Sequence, residues 1–169
     1  MSIILGLDPG SQIAGFGIIQ KNATHSKLLS SGVIMLPSQK PLGIRLKILH
    51  DELEKIYQTF RPQDVVIEKI FFGRNADSAF KLGHVRGVCM MQAFQHGAAV
   101  HEYAARKIKK VITGTGAATK EHMQYVVSQI IGKKLEGPFD EADAIAIALC
   151  HIQEAETQKK IKKNLEAQL

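Results

Sequence analysis

The apolar positions of this chain fall into short unbroken runs near the N-terminus and into helical stripes further on. Ile3, Ile4, Leu5 and Leu7 form a run without alternation, the pattern of a strand covered on both faces. Residues 13–19 are apolar but interrupted by glycine and alanine, and predict a weaker strand returning beside the first. Residues 27–36 predict a third, closing an antiparallel meander. Leu42, Leu46, Leu49, Leu53 and Ile56 recur at spacings of three and four, which marks one face of a helix ending before Pro62. Val65, Val66 and Ile67 then make a short buried strand that stops at Glu68. A long helix, capped by Asn75 or Asp77, is expected to about Gln95, followed by a fifth strand from Ala99 to Tyr103. The remainder reads as helical, with helices from Lys120 to Ile131 and from Asp140 to about Ala155. A strand, helix, strand succession implies parallel pairing. The expected fold class is therefore α/β, a mixed five-stranded sheet flanked by helices on both faces, with residues 1–155 as one domain and 156–169 as a basic polar tail.

Two acids break the apolar runs at equivalent places. Asp8 stands before Pro9 and Gly10, where turn chemistry alone would explain it. It also marks the exit of a strand predicted to be central, and Glu68 repeats the arrangement. Ligand sites in such sheets gather at the carboxyl ends of central strands. Asp140 and Asp143 project from one face of the last helix, whereas Glu141 points elsewhere. Acids in a first helical turn also serve as caps and oppose the helix dipole, and Asp140 on its own reads that way. Yet Ala142, Ala144, Ala146 and Ala148 make this helix slim enough to lie close to a sheet. Were the four acids to converge, their mutual repulsion would require cations. Oxygen ligands favour Mg2+, with Mn2+ as a substitute. Two such ions about 4 Å apart can activate water and stabilise the departing oxygen of a phosphodiester.

Charge supports that direction. The 169-residue chain is 45% hydrophobic, enough for one core without disulfides, and carries a formal net charge of +6. Setting the four acids aside leaves the rest four units more positive still, so an acidic pocket would sit in a basic surround suited to a polyanion. Lys107, Lys109 and Lys110 form one cluster, Lys133 and Lys134 another, and Lys120 follows a glycine-rich loop. Lys159, Lys160, Lys162 and Lys163 read as a solvated, helical or frayed end. Cys89 and Cys150 lack ligand spacing and read as buried thiols. The seven histidines show no HxH or HExxH spacing, so no zinc site is expected and each reads as a surface or packing residue. No apolar stretch approaches a membrane span and no basic leader opens the chain, which predicts a cytoplasmic protein. Gly83 and Gly87, beside Ala76, Ala79, Phe80 and Met91, flatten one flank of the long helix. Packing on another helix of the same domain and a self-complementary dimer contact explain that flank equally well.

The segments LGLDPGSQIAGFGII, VVIEKIFFGRNADSAFKLGHVRG, EYAARKIKKVITGTGAATK and DEADAIAIALCH together resemble the RuvC type of Holliday junction resolvase, in register from Ser2 to about His151. The resemblance implies a ribonuclease H-like fold, a homodimer, and paired magnesium-dependent nicks placed symmetrically across a four-way DNA junction in recombination and repair. By motif position, Asp8, Glu68, Asp140 and Asp143 take the family's catalytic, metal-holding acids; some members carry histidine where Asp143 stands. Phe71 matches the aromatic residue pressed against an unpaired base near the junction centre, and Lys109 and Lys120 match basic positions facing DNA. Phe72 reads as a local hydrophobic anchor, and Arg106, Lys107 and Lys110 as ordinary surface. Lys69, Phe72, His84 and Val85 depart from common family choices, which leaves room for a different cleavage-sequence preference. A branch-migration motor of the RuvA and RuvB type is a further candidate partner.

Three other readings compete. An apolar strand followed by aspartate, glycine and serine also opens the phosphate loop of actin-like ATPases and sugar kinases, but those need two such lobes and this chain has one. A non-catalytic DNA-binding module would leave the acids as caps and turns. A ribonuclease H acting on RNA–DNA hybrids would share fold and metals, and only its substrate would differ.

Overall fold

The computed structural model describes residues 1–69 and 76–166. Five strands, β1 (Ser2–Asp8), β2 (Ile13–Lys21), β3 (Ser26–Met35), β4 (Asp64–Lys69) and β5 (Ala99–Ala104), form one sheet in the order β3-β2-β1-β4-β5. The first three pair antiparallel, and β4 and β5 add on parallel to β1. Helices α1 (Leu42–Phe60) and α2 (Ala76–Gln95) cover one face, while α3 (Ala105–Thr113), α4 (Lys120–Ile131) and α5 (Phe139–Glu166) cover the other.

The unbroken apolar run of β1 follows from this double cover. Leu5 and Leu7 enter the core shared with α1 and α2, whereas Ile4 enters the core shared with α5. The same alternation in β4 sends Val65 and Ile67 to one side and Val66 to the other. By that parity Asp8 and Glu68 both face α5.

Helix α5 lies on the sheet at backbone distance. A Cβ on Gly6 would stand 2.1 Å from the Ala144 carbonyl oxygen, and one on Gly15 would stand 1.9 Å from that of Asp140. Glycine on the strands and alanine on the helix thus bring the first turn of α5 down onto β1 and β2. Glu141 turns away, accepting a hydrogen bond from the Ser31 hydroxyl at 2.7 Å.

Two expectations change, and a further helix gains its bounds. Helix α5 continues to Glu166 rather than ending near Ala155, because Gln153 to Glu166 contains no helix breaker. Helix α3, which had no assigned bounds, is held by only two buried residues, Ile108 and Ile112. Asp77 lies inside the first turn of α2 and pairs with Lys81 at 2.6 Å, so it is no N-cap; Asn75, the other cap candidate, lies outside the described residues. Cys89 and Cys150 are buried free thiols, both pushed by burial up to about 12.

Candidate active site

Pairing of β1 with β4 places Leu7 beside Ile67, so the next residues, Asp8 and Glu68, leave the sheet side by side. On the other flank Asp8 is registered with Gly15, the residue over which Asp140 sits. Asp143 follows one turn along α5. Strand exits and a helix start therefore bring four acids, far apart in sequence, to one edge of the sheet.

The acids act on one another electrostatically. Burial pushes the Asp8 carboxyl up to about 7, and the carboxylates of Asp143, Glu68 and Asp140 push in the same direction. Glu68 is raised by burial and by Asp143. Asp143 is raised by burial, with Lys120 opposing the shift and Asp140 adding to it. Such a group of carboxylates, held together against repulsion and offering only oxygen donors, fits hard divalent cations such as Mg2+.

Two lysines face the acids. Thr119 caps α4, its hydroxyl accepting from the His122 amide at 3.2 Å, and so sets Lys120 at the helix start with Nζ 3.9 Å from Asp143 Oδ2. Lys109 reaches from α3 to the Ala118 carbonyl at 2.8 Å, and its charge acts on Glu68 and Asp143. The structure thus brings Lys109 and Lys120 to the four acids. Phe71 lies outside the described residues.

Arg86 belongs to the second of the four motif segments, and the sequence alone gives it no role. Its guanidinium donates to the Glu68 carbonyl at 2.7 Å and pairs with Glu102. It thereby ties α2 to the exits of β4 and β5 and fixes the backbone that presents Glu68. Only the adjacency of the two strand ends reveals this role. Among the described residues, His101 and His151 pack on each other and meet Asp64, an assembly of three elements that no short spacing could signal.

A family profile described as Crossover junction endodeoxyribonuclease RuvC matches residues 4–151. The chain belongs to that family. The RuvC protein of Marinobacter nauticus (strain ATCC 700491 / DSM 11845 / VT8), named crossover junction endodeoxyribonuclease, is 43% identical over 151 residues, spanning 89% of this chain and 86% of that protein. Among solved structures, Thermus thermophilus RuvC superposes with a TM-score of 0.81 at 32% identity, over 92% of this chain and 96% of that one. The T. thermophilus RuvC bound to a Holliday junction substrate gives 0.82 at 29% identity with the same coverage. The ribonuclease H-like architecture expected from the RuvC motifs is the one observed. As a RuvC-family chain the protein is a hydrolase of the endonuclease class.

Proposed function

We propose that this protein is a magnesium-dependent crossover junction endodeoxyribonuclease that resolves four-way DNA junctions by paired symmetric nicks. The observation that carries the reading is the convergence of Asp8, Glu68, Asp140 and Asp143 where β1 and β4 leave the sheet beneath the first turn of α5.

These four carboxylates would hold two Mg2+ ions, or Mn2+ in their place. The bound ions would supply Lewis-acid activation of water and charge stabilisation at the scissile phosphodiester. The chain's own part is positional and electrostatic. Asp8 and Glu68 are fixed by strand pairing, and Asp140 and Asp143 by the close seat of α5. Lys120, balanced against Asp143 in the free protein, is exposed enough to turn toward a phosphate. Lys109 adds positive charge on the same side. A site at the rim of the sheet admits a duplex arm, which a closed pocket would not. Phe71, on its motif position, is assigned to stacking on an unpaired base at the junction centre.

A homodimer is supported by α2, whose outer face exposes Phe80, Met91 and Phe94 on either side of Gly83 and Gly87. Two copies related by a twofold axis would present two sites to opposite strands. A RuvA and RuvB type motor as partner, and action in the cytoplasm, rest on family membership; among the described residues no helix is long and apolar enough to cross a membrane.

A synthetic four-way junction, a linear duplex of the same sequence and an RNA–DNA hybrid, each incubated with and without Mg2+, test the reading. Cutting of the junction alone, and only with Mg2+, is expected. Preferential cutting of the hybrid would make the protein a ribonuclease H, and micromolar ATP binding without DNA cleavage would favour the kinase-like alternative.

A further inference from the structure

Away from the four acids, three ligand-type side chains from three elements meet on the same face of the sheet. Asp64 opens β4, His101 lies in β5 opposite Val66, and His151 comes from α5. Asp64 Oδ1 accepts a hydrogen bond from His101 Nε2 at 2.8 Å and stands 4.0 Å from His151 Nε2. The two imidazole rings lie 4.1 Å apart, tilted by 34°. One ligand atom from each of the three residues falls within 4.8 Å of the others. Their side chains are 26%, 34% and 12% exposed, so the cluster is shielded but reachable.

We propose that Asp64, His101 and His151 form a second cation site, selective for a divalent transition ion of the zinc type and separate from the four acids. Two imidazole nitrogens and one carboxylate oxygen are a donor set for Zn2+, Co2+ or Ni2+ rather than Mg2+. Bonds of about 2.1 Å in a tetrahedral site put neighbouring ligand atoms about 3.4 Å apart, a value that the 2.8 and 4.0 Å separations bracket. The two imidazole rings, tilted 34° from parallel, would have to turn toward a common ion to close the site, with a fourth position left to water. The Tyr103 hydroxyl is hydrogen-bonded to His151 Nδ1 at 3.1 Å and leaves Nε2 aimed at Asp64, the outer-sphere arrangement that orients ligating imidazoles. In the ion-free form His101 donates through Nε2; coordination uses that nitrogen's lone pair and moves the proton to Nδ1.

The placement suggests what the ion does. Along β4, Asp64 and Glu68 are four residues apart on one face, about 13 Å. Along α5, His151 follows Asp143 by eight residues, about 12 Å. The same strand and the same helix thus connect both sites. An ion at the triad would staple α5 to β4 and β5 and hold the helix whose first turn presents Asp140 and Asp143.

The test uses the untagged full chain carrying Asp8→Asn, in saturating Mg2+, so that the four acids do not compete. Titration with Co2+, followed by visible absorption, and with Zn2+, followed by calorimetry, should show one equivalent bound, with the d–d bands of a four-coordinate site. Zn2+ should raise Tm by several degrees. His101→Phe and His151→Phe should each weaken binding at least 100-fold and abolish the Tm rise, while His101→Cys, which restores a ligand atom, should recover both. Failure to bind one equivalent, or binding that persists in both phenylalanine variants, overturns the site.

Discussion

Asp8 carries the largest electrostatic burden among the four acids, and its titration has a definite sign. Its carboxyl is raised from an ordinary 3.8 to about 7, first by burial and then by Asp143, Glu68 and Asp140. Between those values the folded chain keeps a proton that the unfolded chain has lost. Raising the pH through this window therefore reduces the stability of the metal-free protein, and above about pH 7 the full penalty applies, roughly 2–4 kcal/mol. Asp8→Asn removes the charge and should raise the Tm of the metal-free protein at pH 8, with the gap narrowing as the pH falls towards 4. Junction cleavage should collapse while junction affinity survives, and Mg2+ should stabilise the wild type more than the variant. Equal Tm values at pH 8 would mean that Asp8 is not in a repulsive cluster. Lys120 has the opposite role, since its ammonium offsets the acids in the free protein, and on the proposed reading it turns to phosphate when DNA binds. Lys120→Ala should slow cleavage, weaken junction binding whatever the sequence, and reduce the slope of log affinity against log salt by about one. An unchanged slope removes Lys120 from the DNA contact.

Among the elements, α5 is the one whose seat decides the site. Adding a methyl at Gly15 drives a Cβ into the Asp140 carbonyl, and backbone cannot yield as a side chain would. Gly15→Ala should cost about 1–3 kcal/mol in urea unfolding and lower cleavage further than that loss alone explains, because the displaced helix carries two of the acids. Gly87→Ala, where nothing among the described residues lies within 4 Å, is the matched control and should leave the monomer's core packing intact. The same helix shows what the sequence makes legible. Asp8 and Glu68 were readable because each ends an apolar run, and Asp140 with Asp143 because the alanines behind them imply a tight seat. The far end of α5 was not, since Gln153 to Glu166 has helix-forming residues but no continuous apolar stripe to announce it. Arg86 and the Asp64, His101 and His151 group escaped for another reason: their partners come from strands and helices that only the completed sheet places together.

For the whole molecule the central question is how many copies act together. The buried side of α2, with Val85 and Cys89, is used by the chain's own core, whereas Phe80 and Phe94 are 70% and 67% exposed on the opposite side. Among the described residues, nothing lies within 4 Å of a Cβ built on Gly83 or Gly87, the small-residue flank that the sequence leaves open between intrachain packing and dimerisation. Large exposed apolar side chains flanking a flat glycine strip are what a second copy of the same helix would bury. Sedimentation should report a dimer, and Gly87→Leu, which puts bulk in the strip without touching the core, should shift it towards monomer. The consequence for cleavage can be read on a supercoiled plasmid that extrudes a cruciform. A dimer that nicks both strands within one encounter converts the plasmid to linear product. A dissociated variant with intact acids makes one nick, supercoiling is released, the cruciform is reabsorbed, and nicked circles accumulate. Linear product at wild-type yield from a Gly87→Leu chain shown to be monomeric would place the second copy elsewhere or nowhere, and would leave α2 without a role in pairing the cuts.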